Sequence, residues 1–319
     1  MLYQLLKILS RLAIRIFCRQ LIINKPSMPA VKGPLLLAAN HPNSFLDSII
    51  LDTLFEQPVW SLARGDVFKK PFYIKLLHAL KILPVYRTSE GVENLTSNYK
   101  TFEECIRIFQ KNGIITIFSE GKCINEWHLR PLKKGTARLA LKAWEEGIPL
   151  QVLPVGINYS SFRLFGKNVF IQFGNMIQPS DLNPQAGEGA RHLAFNALLQ
   201  KELESLVFEI PKEDHLKRQT LLSSKIPQWK KVLLGLPAAA GYLMHAPLYW
   251  PIRKFVLAKT ADNDHFDSVL YALLLFSYPL YLLLISLLLS FAAGWWALFV
   301  FAFGPITAWC FAQLNRQTD

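Results

Sequence analysis

The chain reads as an α/β protein: a mixed, partly parallel sheet flanked by helices, with an N-terminal amphipathic helix and a C-terminal transmembrane helical hairpin. Three observations carry that expectation. Short β-rich runs alternate with helical patterns over residues 30–210, residues 268–315 contain no charged side chain, and Lys7, Arg11, Arg15 and Arg19 recur every fourth residue in an apolar N-terminal segment. Alternating strands and helices favour parallel pairing, and runs apolar throughout suit a sheet covered on both faces.

The composition agrees with a membrane setting. Hydrophobic side chains make up 51% of the 319 residues and charged ones 18%, below the roughly 25% of ordinary soluble domains. Mean hydropathy is +0.22. Thirty-five Lys and Arg against 23 Asp and Glu give a net charge of +12, which points to phosphate-rich partners. The basic residues track the apolar segments rather than an aromatic-laced surface, so an anionic lipid face is favoured and nucleic acid is not. Cys18, Cys105, Cys123 and Cys310 lack metal-ligand spacing. They suggest neither a disulfide framework nor a zinc site, which suits a reducing, cytoplasm-facing compartment.

Residues 1–29 carry five positive charges and no acid. On a helix they form a narrow basic stripe along an apolar cylinder, and the segment has no small-residue cleavage pattern. The favoured reading is a retained helix lying in the lipid headgroup layer; a helix docked on the protein with its stripe in water is the alternative. Residues 30–210 form the α/β domain. Its strands are expected at Leu35–Asn40, Val59–Arg64, Ile82–Arg87, Ile114–Glu120, Gln151–Tyr159 and Val169–Gly174, and its helices at Ser44–Glu56, Gly91–Lys111, Gly135–Glu146 and Ala190–Phe208. Residues 211–231 are polar and read as a linker. Residues 232–319 form the membrane region. Val232–Trp250 is interrupted by prolines and His245, which leaves a re-entrant, interfacial or kinked-span placement open. The hairpin occupies about 268–314, with Ser268–Ser290 as one span, a turn near Ala292–Gly294, and Trp295–Leu314 as the other. Arg253, Lys254, Lys259 and Arg316 flank it and favour cytoplasmic ends.

Chemistry-bearing residues sit at successive strand ends. Asn40-His41-Pro42-Asn43-Ser44-Phe45-Leu46-Asp47 places a histidine after an apolar strand and a carboxylate at a helix start. If the loop folds Asp47 back onto His41, the carboxylate sets the imidazole tautomer and leaves the other nitrogen to take a proton. Ser44-x-x-Asp47 also reads as a capping box, and on this fragment both readings stand. Leu83-Pro84-Val85-Tyr86-Arg87 ends in arginine. Phe118-Ser119-Glu120-Gly121 ends in a carboxylate and a glycine, with Arg130-Pro131-Leu132-Lys133-Lys134-Gly135 following, and Leu153-Pro154-Val155-Gly156-Ile157-Asn158-Tyr159 completes the set. Open α/β sheets bind ligands beyond the carboxyl ends of their strands, where these four would converge. The remaining histidines, His78, His128, His192, His215, His245 and His265, lack such spacing and read as structural or surface.

Over roughly residues 30–180 the four runs, in this order, resemble the glycerophospholipid acyltransferase family. Its blocks read NH-x4-D, a strand ending in Arg, F-P-E-G-T-R, and V-P-V-G. The stretches Ala63–Pro71 (ARGDVFKKP) and Leu129–Gly135 (LRPLKKG) are similar to its connecting segments. The resemblance implies an acyltransferase with His41 as general base and Asp47 as its partner. Arg87, Glu120 and Gly121 would serve the acceptor's glycerol and phosphate, and Pro154, Val155 and Gly156 the acyl-donor side of the cleft. Two departures stand out. Five residues rather than four separate His41 from Asp47, and the third block reads Phe118-Ser119-Glu120-Gly121-Lys122-Cys123, without the family's arginine. Lys122, Arg130, Lys133 or Lys134 would then hold phosphate as point charges. Cys123 is not expected to be a nucleophile, because direct transfer from a thioester needs no covalent intermediate.

The expected reaction moves a fatty acyl group from acyl-CoA or acyl carrier protein to a glycerophospholipid precursor. The favoured acceptor is 1-acylglycerol-3-phosphate, giving phosphatidic acid; glycerol-3-phosphate or a lyso-amino-acid lipid are alternatives. Neither a cofactor nor a metal is expected beyond the thioester co-substrate. No G-x-S-x-G elbow occurs, so a serine hydrolase is disfavoured. A non-catalytic lipid-binding scaffold is the alternative of another class.

Overall fold

The computed structural model describes residues 1–86 and 95–318. Helix α1 (Leu2–Phe17) runs into strand β1 (Cys18–Ile23). There follow β2 (Leu35–Ala39), α2 (Phe45–Leu54), β3 (Val59–Arg64), α3 (Pro71–Ala79), β4 (Ile82–Val85), α4 (Leu95–Gln110), β5 (Ile114–Phe118), α5 (Gly135–Glu145), β6 (Gln151–Tyr159) and β7 (Lys167–Phe173). Helices α6 (Glu188–Leu206), α7 (His215–Leu222), α8 (Gln228–Lys259), α9 (Phe266–Ala293) and α10 (Leu298–Leu314) complete the chain. The strands form one seven-stranded sheet in the order β1-β7-β6-β2-β5-β3-β4. Only the β6–β7 pairing is antiparallel.

β2 lies at the centre, between β5 and β6. Its five residues are all buried because alternate side chains serve two cores. Leu35, Leu37 and Ala39 join Leu46, Ile50, Phe266 and Leu270 on one face, while Leu36 and Ala38 join side chains of α4, α5 and α6 on the other. From β2 the chain crosses beyond β5 to β3, and from β5 it returns past β2 to β6. The strand order therefore reverses around β2, and open α/β sheets bind ligands beyond the strand carboxyl ends at such a point.

All six strands expected between residues 30 and 210 form, as do the helices, within a few residues of the expected ends, except that Arg87 and Gly91, the expected end of β4 and start of α4, lie outside the described residues. Four features depart from the sequence reading. The N-terminal helix stops at Phe17, and Cys18–Ile23 adds an edge strand pairing with β7. The basic stripe of α1 faces neither water nor lipid over most of its length. Lys7 is 5% exposed and donates to Asp52 Oδ1 at 3.1 Å and to the Gln57 carbonyl at 3.0 Å. Arg11 donates to the carbonyls of Thr53 and Phe55 at 2.8 and 2.9 Å. Those carbonyls end α2, where orphan acceptors and the helix dipole both favour cations. Burial lowers the Lys7 pKa, with Asp52 opposing that effect. The outward side of α1 is consequently apolar: Leu2, Leu5, Ile8, Leu9 and Leu12 are exposed.

The polar stretch 211–231 is no free linker, because it contains α7, whose Leu222 is fully buried and whose Arg218 lies 4.9 Å over the Trp127 ring. Val232–Trp250 belongs to a single 32-residue helix, α8, which continues through Pro237, Pro247 and Pro251 and packs along α10. The hairpin forms as α9 and α10, with its turn at Gly294–Ala297, slightly later than expected. Gln228–Lys259 and Phe266–Leu314 are long and apolar enough to cross a membrane. Both ends of the hairpin return to the α/β domain. The start of α9 meets α2, while Asn315 beyond α10 donates to the Phe165 carbonyl at 2.6 Å.

Candidate active site

The site is built where β2 runs out. Asn40 uses its side-chain amide as a further rung of the sheet, donating to the Ile157 carbonyl at 3.0 Å and accepting from the Ile157 N–H at 2.7 Å. That contact fixes the exit of the chain, and His41 follows. Its Nδ1 lies 2.8 Å from Asp47 Oδ2, and its ring stacks on Phe118 with centroids 3.8 Å apart at 11°. Its backbone N–H donates to Glu120 Oε2 at 2.8 Å. The histidine side chain is 18% exposed and that of Asp47 fully buried.

Asp47 is completely engaged. Oδ2 also accepts from the Asn43 N–H at 2.9 Å, and Oδ1 accepts from the Tyr159 hydroxyl at 2.7 Å. Burial first, and then the Asp47 charge, raise the Tyr159 pKa well above its usual value, so the phenol stays a donor. A carboxylate held by two other donors is a fixed acceptor for the histidine Nδ1–H, which directs basicity to Nε2. Among the described residues, no side chain occupies Nε2. The capping-box alternative fails here, since Ser44, the N-cap residue before α2, makes no side-chain cap bond.

Between His41 and Asp47, the Ser44 backbone takes φ 55 and ψ −144. A serine in that region is strained by about 1–3 kcal/mol and needs its surroundings to hold it. The Ser44 N–H donates to Cys123 Sγ at 2.9 Å, and its hydroxyl meets His265 Nδ1 at 2.7 Å. Burial, ahead of the Asp47 charge, keeps the Cys123 thiol well above its usual pKa, so it is protonated at neutral pH and suited to packing rather than attack. Burial also lowers the His265 pKa, with Asp264 raising it and Arg64 and His41 lowering it, so this second imidazole is neutral.

Glu120 is a buried hub rather than a ligand arm. Beside His41 it holds the Arg130 N–H at 2.9 Å and the guanidinium at 3.1 Å. Arg130 also reaches Glu126 at 3.5 Å and donates to the Lys122 carbonyl, so its guanidinium is spent inside the protein. Gly121 turns the chain with φ +69, and a Cβ there would stand 3.1 Å from Lys133 Cγ. Lys122, Lys133 and Lys134 are exposed around this turn. Pro154, Val155 and Gly156 lie buried within β6, where a Cβ on Gly156 would meet Leu206 at 2.6 Å. Arg87 lies outside the described residues. Among the described residues, no group of three or more His, Cys, Asp or Glu side chains could hold a metal ion.

Sequence reasoning missed Tyr159, Asn43 and His265. Tyr159 ends the same run as Pro154 and Gly156, so a strand-end polar residue was the available signal. His265 was read as surface or structural, and only its position three residues before the charge-free run set it apart.

Comparisons with known proteins give a structural likeness and a family match. A crystal structure of the 1-acyl-sn-glycerophosphate (LPA) acyltransferase from Thermotoga maritima is similar at 17% identity, covering 63% of this chain and 79% of that one, with a TM-score of 0.43. No curated protein matches significantly. The family model described as Acyltransferase matches residues 20–158, the segment that carries the His41–Asp47 pair, Glu120, Gly121 and the β6 run. Residues 20–158 are therefore an acyltransferase-family domain, and the chain is an acyltransferase enzyme.

Proposed function

We propose that the enzyme moves a fatty acyl group from a thioester donor, acyl-CoA or acyl carrier protein, to the hydroxyl of a membrane glycerophospholipid precursor, 1-acylglycerol-3-phosphate foremost, and so makes phosphatidic acid. The observation that carries this reading is the 2.8 Å contact of His41, just beyond the carboxyl end of β2, with a buried Asp47 that Tyr159 also holds. His41 Nε2 takes the proton of the acceptor hydroxyl as the oxygen bonds to the thioester carbonyl carbon. The tetrahedral oxyanion collapses, the carbon–sulfur bond breaks, and the thiolate takes the proton back from the imidazolium. The ester and a free thiol leave. Asp47 supports the transient imidazolium throughout.

Lys122, Lys133 and Lys134 supply the cationic surface for a phosphate monoester; with Arg130 tied to Glu120 and Glu126, they are favoured over it. Arg87 belongs to the same proposal on the strength of the sequence resemblance. Membrane attachment rests on the outward side chains of the helices. Leu280, Leu283, Leu287, Phe291 and Leu298 are all more than half exposed, and so large an apolar exterior calls for lipid. At 1.5 Å per residue, the 28 residues of α9 reach about 42 Å, beyond the ~30 Å hydrocarbon core. The catalytic domain would then sit on the cytoplasmic face.

The test supplies purified enzyme in lipid micelles with labelled oleoyl-CoA or oleoyl-acyl carrier protein and, separately, lysophosphatidate, glycerol-3-phosphate and a lyso-amino-acid lipid, and identifies products by mass. Phosphatidic acid from the first acceptor, abolished by His41→Ala, is expected. Product from another acceptor alone would reassign the substrate. No product from any would overturn the reading.

A further inference from the structure

The loop from His41 to Asp47 is held from outside by a segment more than 200 residues away in sequence. The Ser268 hydroxyl donates to the Asn43 carbonyl at 2.9 Å and accepts from the Leu46 N–H at 2.9 Å. Leu46 is the second residue of α2, where a helix has orphan N–H groups that its own N-cap side chain ordinarily satisfies. Ser44, the N-cap, makes no such bond; its hydroxyl is turned to His265. Helix α2 is thus capped by the first turn of α9. The Asn43 side chain donates to Asp267 Oδ2 at 2.8 Å, and Lys167 pairs with the same oxygen, all of them buried. Just before this turn, the Asp264 carbonyl accepts from Asn125 Nδ2 at 3.4 Å, and Asn125 also donates to the Pro42 carbonyl at 2.7 Å.

We propose that the first turn of α9, His265 to Ser268, is the positioning element of the His41–Asp47 pair: it caps α2 from outside and pins Ser44 in its strained conformation, so acyl transfer requires this turn to be docked. The inference rests on the reading of His41 and Asp47 as the acyl-transfer dyad. Its physical basis is the strained residue in the loop. Within the step from His41 to Asp47, Ser44 sits at φ 55, and such strain persists only where neighbours outweigh it. Among the described residues, and apart from the Cys123 contact, the side-chain bonds reaching residues 43–46 from other elements come from His265, Asp267 and Ser268. These residues open the longest apolar helix after α8, so the chemistry of the head domain is tied to the placement of its hydrophobic hairpin. His265, Asp267 and Ser268 are positioning residues, because they act through the loop.

The test uses the full chain in lipid micelles with His265→Ala, His265→Asn, Ser268→Ala and the double variant His41→Ala/His265→Ala. His265 is exposed, so its replacement leaves the fold intact even where Ser268→Ala does not. The expected result is a kcat lowered about 10- to 100-fold by His265→Ala with KM for donor and acceptor within twofold, largely restored by His265→Asn, whose amide can still meet the Ser44 hydroxyl. The double variant should be no slower than His41→Ala alone, since residues that act as a unit are non-additive. A kcat within twofold of wild type in both His265→Ala and Ser268→Ala overturns the proposal, as do losses that multiply in the double variant. The downfield proton of His41 Nδ1 in NMR reports the loop without turnover. It is expected in the wild type and lost in His265→Ala; its persistence in both alanine variants overturns the positioning role even if no acyl acceptor is found.

Discussion

Tyr159 and His41 share one carboxylate, each taking a different oxygen of Asp47, at 2.7 and 2.8 Å. The tyrosine ends β6 and the histidine follows β2, so the pairing of these strands, Ala39 beside Val155, sets the width of the dyad. Tyr159→Phe leaves a buried carboxylate oxygen without its donor. That should cost about 1–3 kcal/mol of stability and lower kcat roughly tenfold by loosening Asp47, with KM for both substrates nearly unchanged. Denaturant unfolding and steady-state kinetics on the same preparation check both parts. Unaltered kcat would show that His41 and Asn43 hold Asp47 on their own.

What the sequence disclosed and what it hid divide along physical lines. β2, β5 and β6 were legible because a strand covered on both faces must be apolar at every position, as Leu35–Ala39 is. The dyad was legible because His41 and Asp47 lie six positions apart, within one strand-to-helix turn. The contacts of Asp267 and Ser268 with that turn were not, since nothing local to a helix start announces what it docks against. The direction of the α1 stripe was hidden for a related reason: a four-residue period defines a face but not its neighbour, and here that neighbour is the end of α2. The same period ran on through Arg19 and masked the switch to a strand at Cys18.

Lys133 and Lys134 open α5 in water beside the Gly121 turn, so their effect on a phosphate is that of mobile charges. Lys133→Glu and Lys134→Glu together should raise the KM for lysophosphatidate about tenfold or more while kcat stays within threefold. The ratio to wild type should shrink as salt is raised from 50 to 500 mM, because screening removes what the lysines supply. A neutral monoacylglycerol, if accepted, should show no such change. An equal rise in KM for both acceptors would mean that the substitutions disturb the turn rather than a phosphate.

The two sides of α1 should differ sharply towards lipid. Ile8 and Leu12 are exposed, whereas Ser10 is 7% exposed and faces the domain. A fluorophore attached at Ile8→Cys or Leu12→Cys should be quenched strongly by lipids carrying a nitroxide on the acyl chain. Removing such side chains from water is worth about 1.5–3 kcal/mol each. A label at Ser10→Cys should be quenched several-fold less, provided that circular dichroism shows the helix intact. Equal quenching at all three positions would mean that α1 does not rest on the bilayer with its leucines down.

Buried thiols should make the protein fragile in alkali, and the sign can be worked through for Cys105. It is fully buried in α4, and burial, helped by Glu104, pushes its pKa up to about 12 from an ordinary value of 9.0. Below about pH 8 the folded and unfolded chains both hold the proton and the full stability is present. Between pH 9 and 12 the unfolded thiol ionises while the folded one keeps its proton. Unfolding then releases a proton, and stability falls by roughly 1 kcal/mol per pH unit from this group. Cys18, raised to about 12 chiefly by burial, adds a second contribution of the same sign. Cys105→Ala removes one of them. Its unfolding free energy, lower than wild type at pH 8 for lost packing, should therefore approach the wild-type value as the pH rises to 10.5. Parallel curves for the two proteins over that range would show that Cys105 ionises as readily in the fold as in the open chain.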